Sequence, residues 1–208
     1  AQLLALDYAI MPREEMKKYL EIIARSGRKS INIVDELLVL ASDRRQENKP
    51  EPLNMAKIVS EAHQRVLHLA KEYQAQITIP ESWPQACGYN PWVEEVWVNY
   101  LSNAIKYGGE PPIIVLGSTP EHNMVRFWIS DNGRGISSEA QGRLFAPFTQ
   151  LSEVSIKGHG LGLSIVRQIV NKLGGEVGVH SEGIPGLGSI FSFTLPAGTS
   201  QETKISGT

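Results

Sequence analysis

The 208-residue chain has one cysteine, Cys87, so it can form no intramolecular disulfide and no cysteine-based zinc site. That is compatible with a reducing compartment, and Cys87 is expected to be packing or surface filler. An excess of charge of either sign is missing too, with 20 Lys and Arg against 22 Asp and Glu and a formal net charge of -2. No broad field attracts nucleic acid or an anionic membrane, so a charged ligand must be held by a local site. No apolar run approaches the roughly 18 residues of a membrane span, and AQLLALDYAIMP lacks the basic and long apolar regions of a signal peptide. The chain is therefore expected to be cytoplasmic, without membrane or nucleic-acid contacts. Aromatic residues are scarce at 7%, yet 41% hydrophobic and 20% charged residues describe an ordinary globular composition. Repeats and low-complexity tracts are absent.

What is present divides at one boundary. From Pro12 to about Arg45, Met16, Leu20, Ile23, Ile31, Val34, Leu38 and Ala41 recur at helical spacing, broken near Ser26-Gly27, which predicts a helical arm over residues 1–50. The segment from Gln46 to Pro52 has two prolines and no apolar residue, and reads as a linker. Residues 51–197 form the main domain. It starts with an amphipathic helix from Met55 to Tyr73 and a short strand at Gln76–Pro80. A second helix opens at Asn90-Pro91, runs to Tyr107 and stops at Gly108-Gly109. Strands are expected at Ile113–Gly117 and Met124–Ser130, joined by a turn over Thr119–Asn123. A helix over Leu161–Leu173 and a hairpin of Glu176–His180 with Ser189–Leu195 complete an α+β layout, helices on one side of a mostly antiparallel sheet. The polar tail, residues 198–208, is expected to be disordered.

Four clusters stand out. Asn99, Asn103, Lys106 and Tyr107 fall at i, i+4, i+7 and i+8, one polar face where a core face would be apolar. Neutral amide oxygens suit a Mg²⁺ ion that already holds waters and phosphate oxygens, and a lysine one turn on can neutralise phosphate. A solvated helix face is the bland alternative. Asp131-Asn-Gly-Arg-Gly135 follows an apolar strand, and a carboxylate there can accept from an exocyclic amine, which adenine offers and guanine replaces by an acceptor. Ordinary turn chemistry would use the same residues. Gly158-His-Gly-Leu-Gly-Leu163 leads into a helix, where free backbone N–H groups can ring a phosphate. Neither a GxGxxG fingerprint nor a Walker loop is present there, and a flexible loop is the simpler reading. Between the last two lies Arg143-Leu-Phe-Ala-Pro-Phe148, whose aromatics either pack the loop onto the body or anchor a lid, from which Lys157 could reach a terminal phosphate.

In this order and spacing the clusters resemble the four boxes of the sensor histidine kinase ATP-binding domain, in the superfamily of DNA gyrase, Hsp90 and MutL. NYLSNAIKYG is similar to the N box, DNGRGI to the G1 box, RLFAPF to the F box and GHGLGLSIV to the G2 box, with the likeness running from about residue 52 to 197. The resemblance implies a Bergerat-type two-layer α/β sandwich, a mixed sheet backed by three helices, holding ATP and Mg²⁺ between the N-box helix and a lid. It implies that Asn103 ligands the metal, that Asn99 and Lys106 are the catalytic residues beside the phosphates, and that Tyr107 contacts the nucleotide. Asp131 would read the adenine amine, with Gly133, Gly135 and Ile136 shaping the base pocket. Phe148, Lys157, Gly158, His159, Gly160, Leu161, Gly162 and Leu163 would complete the nucleotide site through the lid and the G2 box.

The arm is similar to the second helix of the family's dimerisation and phosphoacceptor domain, which implies a homodimer and a response regulator receiver domain as partners of the intact protein. The family's phosphoacceptor histidine is followed by an acidic residue, and none of His63, His68, His122, His159 or His180 fits that pattern. The expected function is therefore transfer of the ATP γ-phosphoryl to a histidine outside this chain, then to a response regulator aspartate. An ATP-binding module acting as a serine kinase and anti-sigma factor, or as a nucleotide-driven clamp, is the alternative.

Overall fold

The computed structural model describes residues 14–16, 19, 50–146 and 162–198. The chain divides into two compact units, Ala1–Glu47 and Asn48–Thr208. In the first, Glu14–Met16 and Tyr19 are helical; the rest of the expected arm lies outside the described residues, as does the tail beyond Gly198.

The second unit holds a five-stranded sheet. Its strands are β2 (Gln76–Thr78), β4 (Ile113–Glu121), β5 (Met124–Ser130), β6 (Val177–His180) and β7 (Ile190–Pro196), in the order β2-β4-β5-β7-β6. Only β2 and β4 run parallel, so the sheet is mixed. A separate antiparallel pair joins β1 (Glu51–Pro52) to β3 (Cys87–Gly88). The helices are α1 (Met55–Glu72), α2 (Asn90–Tyr107), the one-turn α3 (Ser138–Gln141) and α4 (Gly162–Lys172). This is a two-layer sandwich in which α1 packs on α2, and α2 and α4 pack on each other and on the sheet.

Local chemistry accounts for the elements. The Asn54 side chain caps α1 by accepting from Lys57 N at 3.1 Å, and Ile58, Val59, Ala62, Val66 and Ala70 are buried at helical spacing. In β5, Val125, Phe127 and Ile129 alternate inward with period two. The helix layer meets the sheet at a cluster of fully buried aromatics, where Trp97 stands edge-on to Phe193 at 5.3 Å and Phe127 stacks on Phe193 at 5.3 Å. Burying each of these side chains is worth about 1.5–3 kcal/mol. Tyr100, also buried, donates its hydroxyl to Ser192 O at 3.0 Å, and burial pushes its pKa far up. This pins α2 to β7, and the polar groups of the same helix lie on the flank beside Tyr100.

Two expectations need correction. Strand β4 runs on to Glu121, with Pro120 opposite Val125, so the hairpin turn is His122-Asn123 rather than Thr119–Asn123. Proline is tolerated because β2 pairs only with Ile113–Val115, which leaves the other edge of β4 open at Pro120. His122 adopts φ 44°, as a two-residue turn requires. Within the stretch read as linker, Glu51-Pro52 is strand, paired with Gly88 and Cys87, because proline's fixed φ suits extended backbone.

Candidate functional site

Asp131 follows directly after β5 and is 9% exposed. One carboxylate oxygen accepts from Gly133 N at 2.8 Å and the other from the Ser189 hydroxyl at 2.6 Å. Burial raises its pKa, and the bonds from Ser189 and Gly133 offset part of that rise. Each carboxylate oxygen can accept a second bond, so the group keeps capacity for a ligand's N–H. The chain is drawn tightly around it. A β-carbon on Gly133 would stand 2.2 Å from Tyr107 O, and one on Gly188, at φ +65°, would stand 1.8 Å from Asp131 O. Gly135, at φ +73°, packs against Gly183, and Ile136 N donates to Ser181 Oγ at 2.9 Å. The β6–β7 loop therefore packs against the Asp131–Ile136 segment, with Gly186 N and Gly188 N both donating to Gly133 O.

Asn132 clamps this loop to the end of α2. Its Oδ1 accepts from Gly109 N at 2.9 Å and Ile113 N at 2.8 Å, while its Nδ2 donates to Pro111 O at 3.1 Å. The polar face of α2 leads toward the clamp. Asn99, Asn103 and Lys106 are half-buried and Tyr107 is 45% exposed. Burial lowers the Lys106 pKa, because removing the ammonium from water disfavours its charged form. Tyr107 is raised by burial and by Tyr73 nearby.

The same face meets the start of α4. A β-carbon on Gly162 would lie 2.3 Å from Asn99 Oδ1, so the G2-like and N-box-like segments, 63 positions apart, touch here. Leu163 follows on the first turn, half-buried. Phe145 packs edge-on to Phe191 at 6.4 Å and Leu144 is buried, which docks the Arg143–Ala146 turn on the body. Phe148, Lys157, Gly158, His159, Gly160 and Leu161 lie outside the described residues.

Among the described residues no cluster of three or more His, Cys, Asp or Glu could cage a metal. The available donors are the amide oxygens of Asn99 and Asn103, which suit a hard ion sharing its shell with water and phosphate. Sequence reasoning did not single out Ser189, Gly188 or Asn132. The signals were a Gly-x-Gly-Ser run opening the last strand and an asparagine directly after Asp131.

Fold and site define a class: a two-layer α/β domain with a buried carboxylate directly after one strand and a polar helix face leading toward it. The sequence comparisons give the family. Residues 88–199 match the family described as histidine kinase-, DNA gyrase B-, and HSP90-like ATPase, and the chain belongs to it. The methanogenesis regulatory histidine kinase FilI of Methanothrix harundinacea (strain 6Ac) is 30% identical over 192 residues, 91% of this chain and 21% of that protein. Full-length ShkA, solved in complex with AMPPNP, is 25% identical with a TM-score of 0.71, covering 94% of this chain and 41% of ShkA. Histidine kinase ThkA, solved in complex with the response regulator protein TrrA, shares the fold with a TM-score of 0.71 at 22% identity, covering 94% of this chain and 55% of ThkA. The chain thus spans between about a fifth and about half of these proteins. It is a domain of this ATPase family, similar in sequence and fold to histidine kinases.

Proposed function

We propose that this chain binds Mg²⁺-ATP in the cleft between α2 and the start of α4, and that it is the phosphoryl-donating part of a two-component sensor histidine kinase. The observation that carries the reading is the meeting of Asn99 with Gly162 on the helix face that also bears Asn103 and Lys106, with Asp131 buried near its far end. Asp131 accepts the adenine amine. Gly133, Gly135 and Ile136 line the base, and Tyr107 covers it from α2. Lys106 neutralises phosphate charge, and nearby anions return its pKa toward the ordinary lysine range. Asn103 and Asn99 would hold Mg²⁺ through their side-chain oxygens, and the ion would supply positive charge to offset that of the phosphates.

Phosphoryl transfer needs little covalent chemistry from the protein and depends on alignment and charge neutralisation. The γ-phosphoryl passes to a histidine nitrogen on the dimerisation domain of the intact protein, which works as a cytoplasmic homodimer, and then to an aspartate of a response regulator. The ThkA complex with TrrA supports the last step as precedent. Among the described residues no helix is long and apolar enough to cross a membrane.

Calorimetry with ATP, ADP and GTP tests the binding, and radiolabelled ATP with a separately supplied phosphoacceptor domain tests the transfer. Saturable ATP binding with acid-labile label on the supplied domain, and none on this chain, is expected. Absence of ATP binding in the presence of Mg²⁺ would overturn the reading.

A further inference from the structure

Asn99 is held from behind by residues that never enter the cleft. Its Nδ2 donates to Glu95 O at 3.0 Å and makes a longer contact of 3.4 Å to Glu95 Oε1. Both partners can only accept, so the amide NH₂ must face them and Oδ1 must face the other way, toward Gly162. The Glu95 carboxylate is itself fixed, because Oε2 receives a hydrogen bond from Arg65 Nη2 at 2.9 Å across the α1–α2 contact. Arg65 Nη1 bonds Glu94 Oε1 at 3.0 Å, so the guanidinium spans two carboxylates on α2 and has little freedom to swing away. Partial burial opposes its charge, and Glu94 and Glu95 together outweigh that and hold its pKa above the usual arginine value.

We propose that Arg65 and Glu95 are positioning residues for the nucleotide site: the chain Arg65–Glu95–Asn99 presents the Asn99 oxygen to the metal–phosphate region and keeps its NH₂ away from it. The inference rests on the reading of this cleft as a Mg²⁺-ATP site. Without the carboxylate, the amide keeps only its bond to Glu95 O, so it turns more readily to offer a donor where an acceptor is needed. The pair is half-exposed, with side chains 48% and 40% accessible, and exposed pairs of this kind stabilise a fold little. Its effect is therefore expected in Asn99 orientation rather than in folding.

The test has two readouts on the whole chain. In the unliganded protein, NMR exchange of the Asn99 side-chain amide protons reports the relay directly; Glu95→Ala and Arg65→Ala should speed exchange of one of the two protons several-fold, and Arg65→Lys should restore part of the protection. In calorimetry with AMPPNP, the ratio of dissociation constants without and with Mg²⁺ should shrink at least threefold in the two alanine variants. Glu94→Gln, which touches Arg65 but not Asn99, should leave that ratio within twofold, as should Lys57→Ala, which removes an ion pair within α1. Unchanged amide exchange and an unchanged Mg²⁺ ratio, even with a lowered melting temperature, would overturn the proposal and leave a purely structural ion pair. If the wild-type chain bound no AMPPNP, the reading of the cleft would fall and the inference with it; a wild type that binds beside variants with the same ratio removes the relay alone.

Discussion

Gly162, the first residue of α4, lies so close to Asn99 that a β-carbon on it would stand 2.3 Å from Asn99 Oδ1. The obstacle is the tip of a side chain rather than backbone, so the fold can yield by moving Asn99. In Gly162→Ala the amide should turn away at the loss of its bonds to Glu95, a cost of about 1 kcal/mol, partly offset by alanine's better helix propensity. The expected outcome is a melting temperature changed by only a few degrees, with Mg²⁺-ATP affinity reduced at least about tenfold. Thermal melts and calorimetry on one preparation check both. A variant that binds like wild type would show that Asn99's position does not matter to the nucleotide.

Asp131 separates recognition from stability. Burial raises its pKa, so the charged form is disfavoured in the fold at every pH above the folded-state value. That penalty is fully present near neutrality and disappears as pH falls below the unfolded aspartate value of about 3.9. Asp131→Asn removes the charge and keeps an oxygen to accept from Gly133 N. Its stability relative to wild type should therefore be most favourable near neutrality and decline toward acid, as denaturant melts across pH would record. The amide's NH₂, turned toward Ser189, cannot accept from adenine. ATP affinity should drop at least about tenfold and the preference over GTP should narrow.

Gly188 offers the opposite case. Its φ of +65° and a 1.8 Å approach of any β-carbon to Asp131 O put backbone against backbone, where neither side can yield. Gly188→Ala should destabilise the domain by roughly 3 kcal/mol or more. Gly186→Ala, with nothing within 4 Å of its β-carbon position, pays only for its φ of +90° and should cost about 1–2 kcal/mol. Chemical denaturation of the two variants tests this order; equal costs would mean that the β6–β7 loop relaxes away from Asp131.

The contrast between these glycines shows what the sequence exposes. The polar face of α2 was legible because asparagine and lysine replace apolar residues at helical spacing, and Asp131 because it directly follows an alternating strand. Gly133 and Gly135 stood out beside it in the same short run. Gly188 and Ser189 reach Asp131 only through the pairing of β5 with β7, a contact between residues 58 apart that no local pattern encodes. The turn at His122-Asn123 was missed for a related reason: proline reads as a strand breaker until the neighbouring edge is known to be open. Asn132 sat inside a recognised run, yet its three bonds to the Gly109–Ile113 segment depend on how α2 ends beside β5. The Arg65–Glu95–Asn99 chain likewise requires α1 and α2 side by side.

Lys106 links the site to pH. Burial lowers its pKa, so the unliganded fold penalises the ammonium; the penalty is present below the folded-state pKa and vanishes as pH rises through the unfolded lysine value of about 10.4. A bound triphosphate reverses the preference, because binding anions beside the amine favours its protonation. ATP affinity should therefore be flat near neutrality and weaken as pH rises through the depressed Lys106 pKa, before ordinary lysines titrate. Lys106→Met should lower affinity about tenfold or more at neutral pH, as expected for losing a charge-assisted phosphate contact of roughly 1.5–3 kcal/mol, and should flatten the alkaline limb. Because the variant also removes a buried charge, it should melt at or above the wild-type temperature. Calorimetric titrations over this pH range decide the matter: an alkaline limb that persists in Lys106→Met would assign the titration to another group and remove Lys106 from the phosphate site.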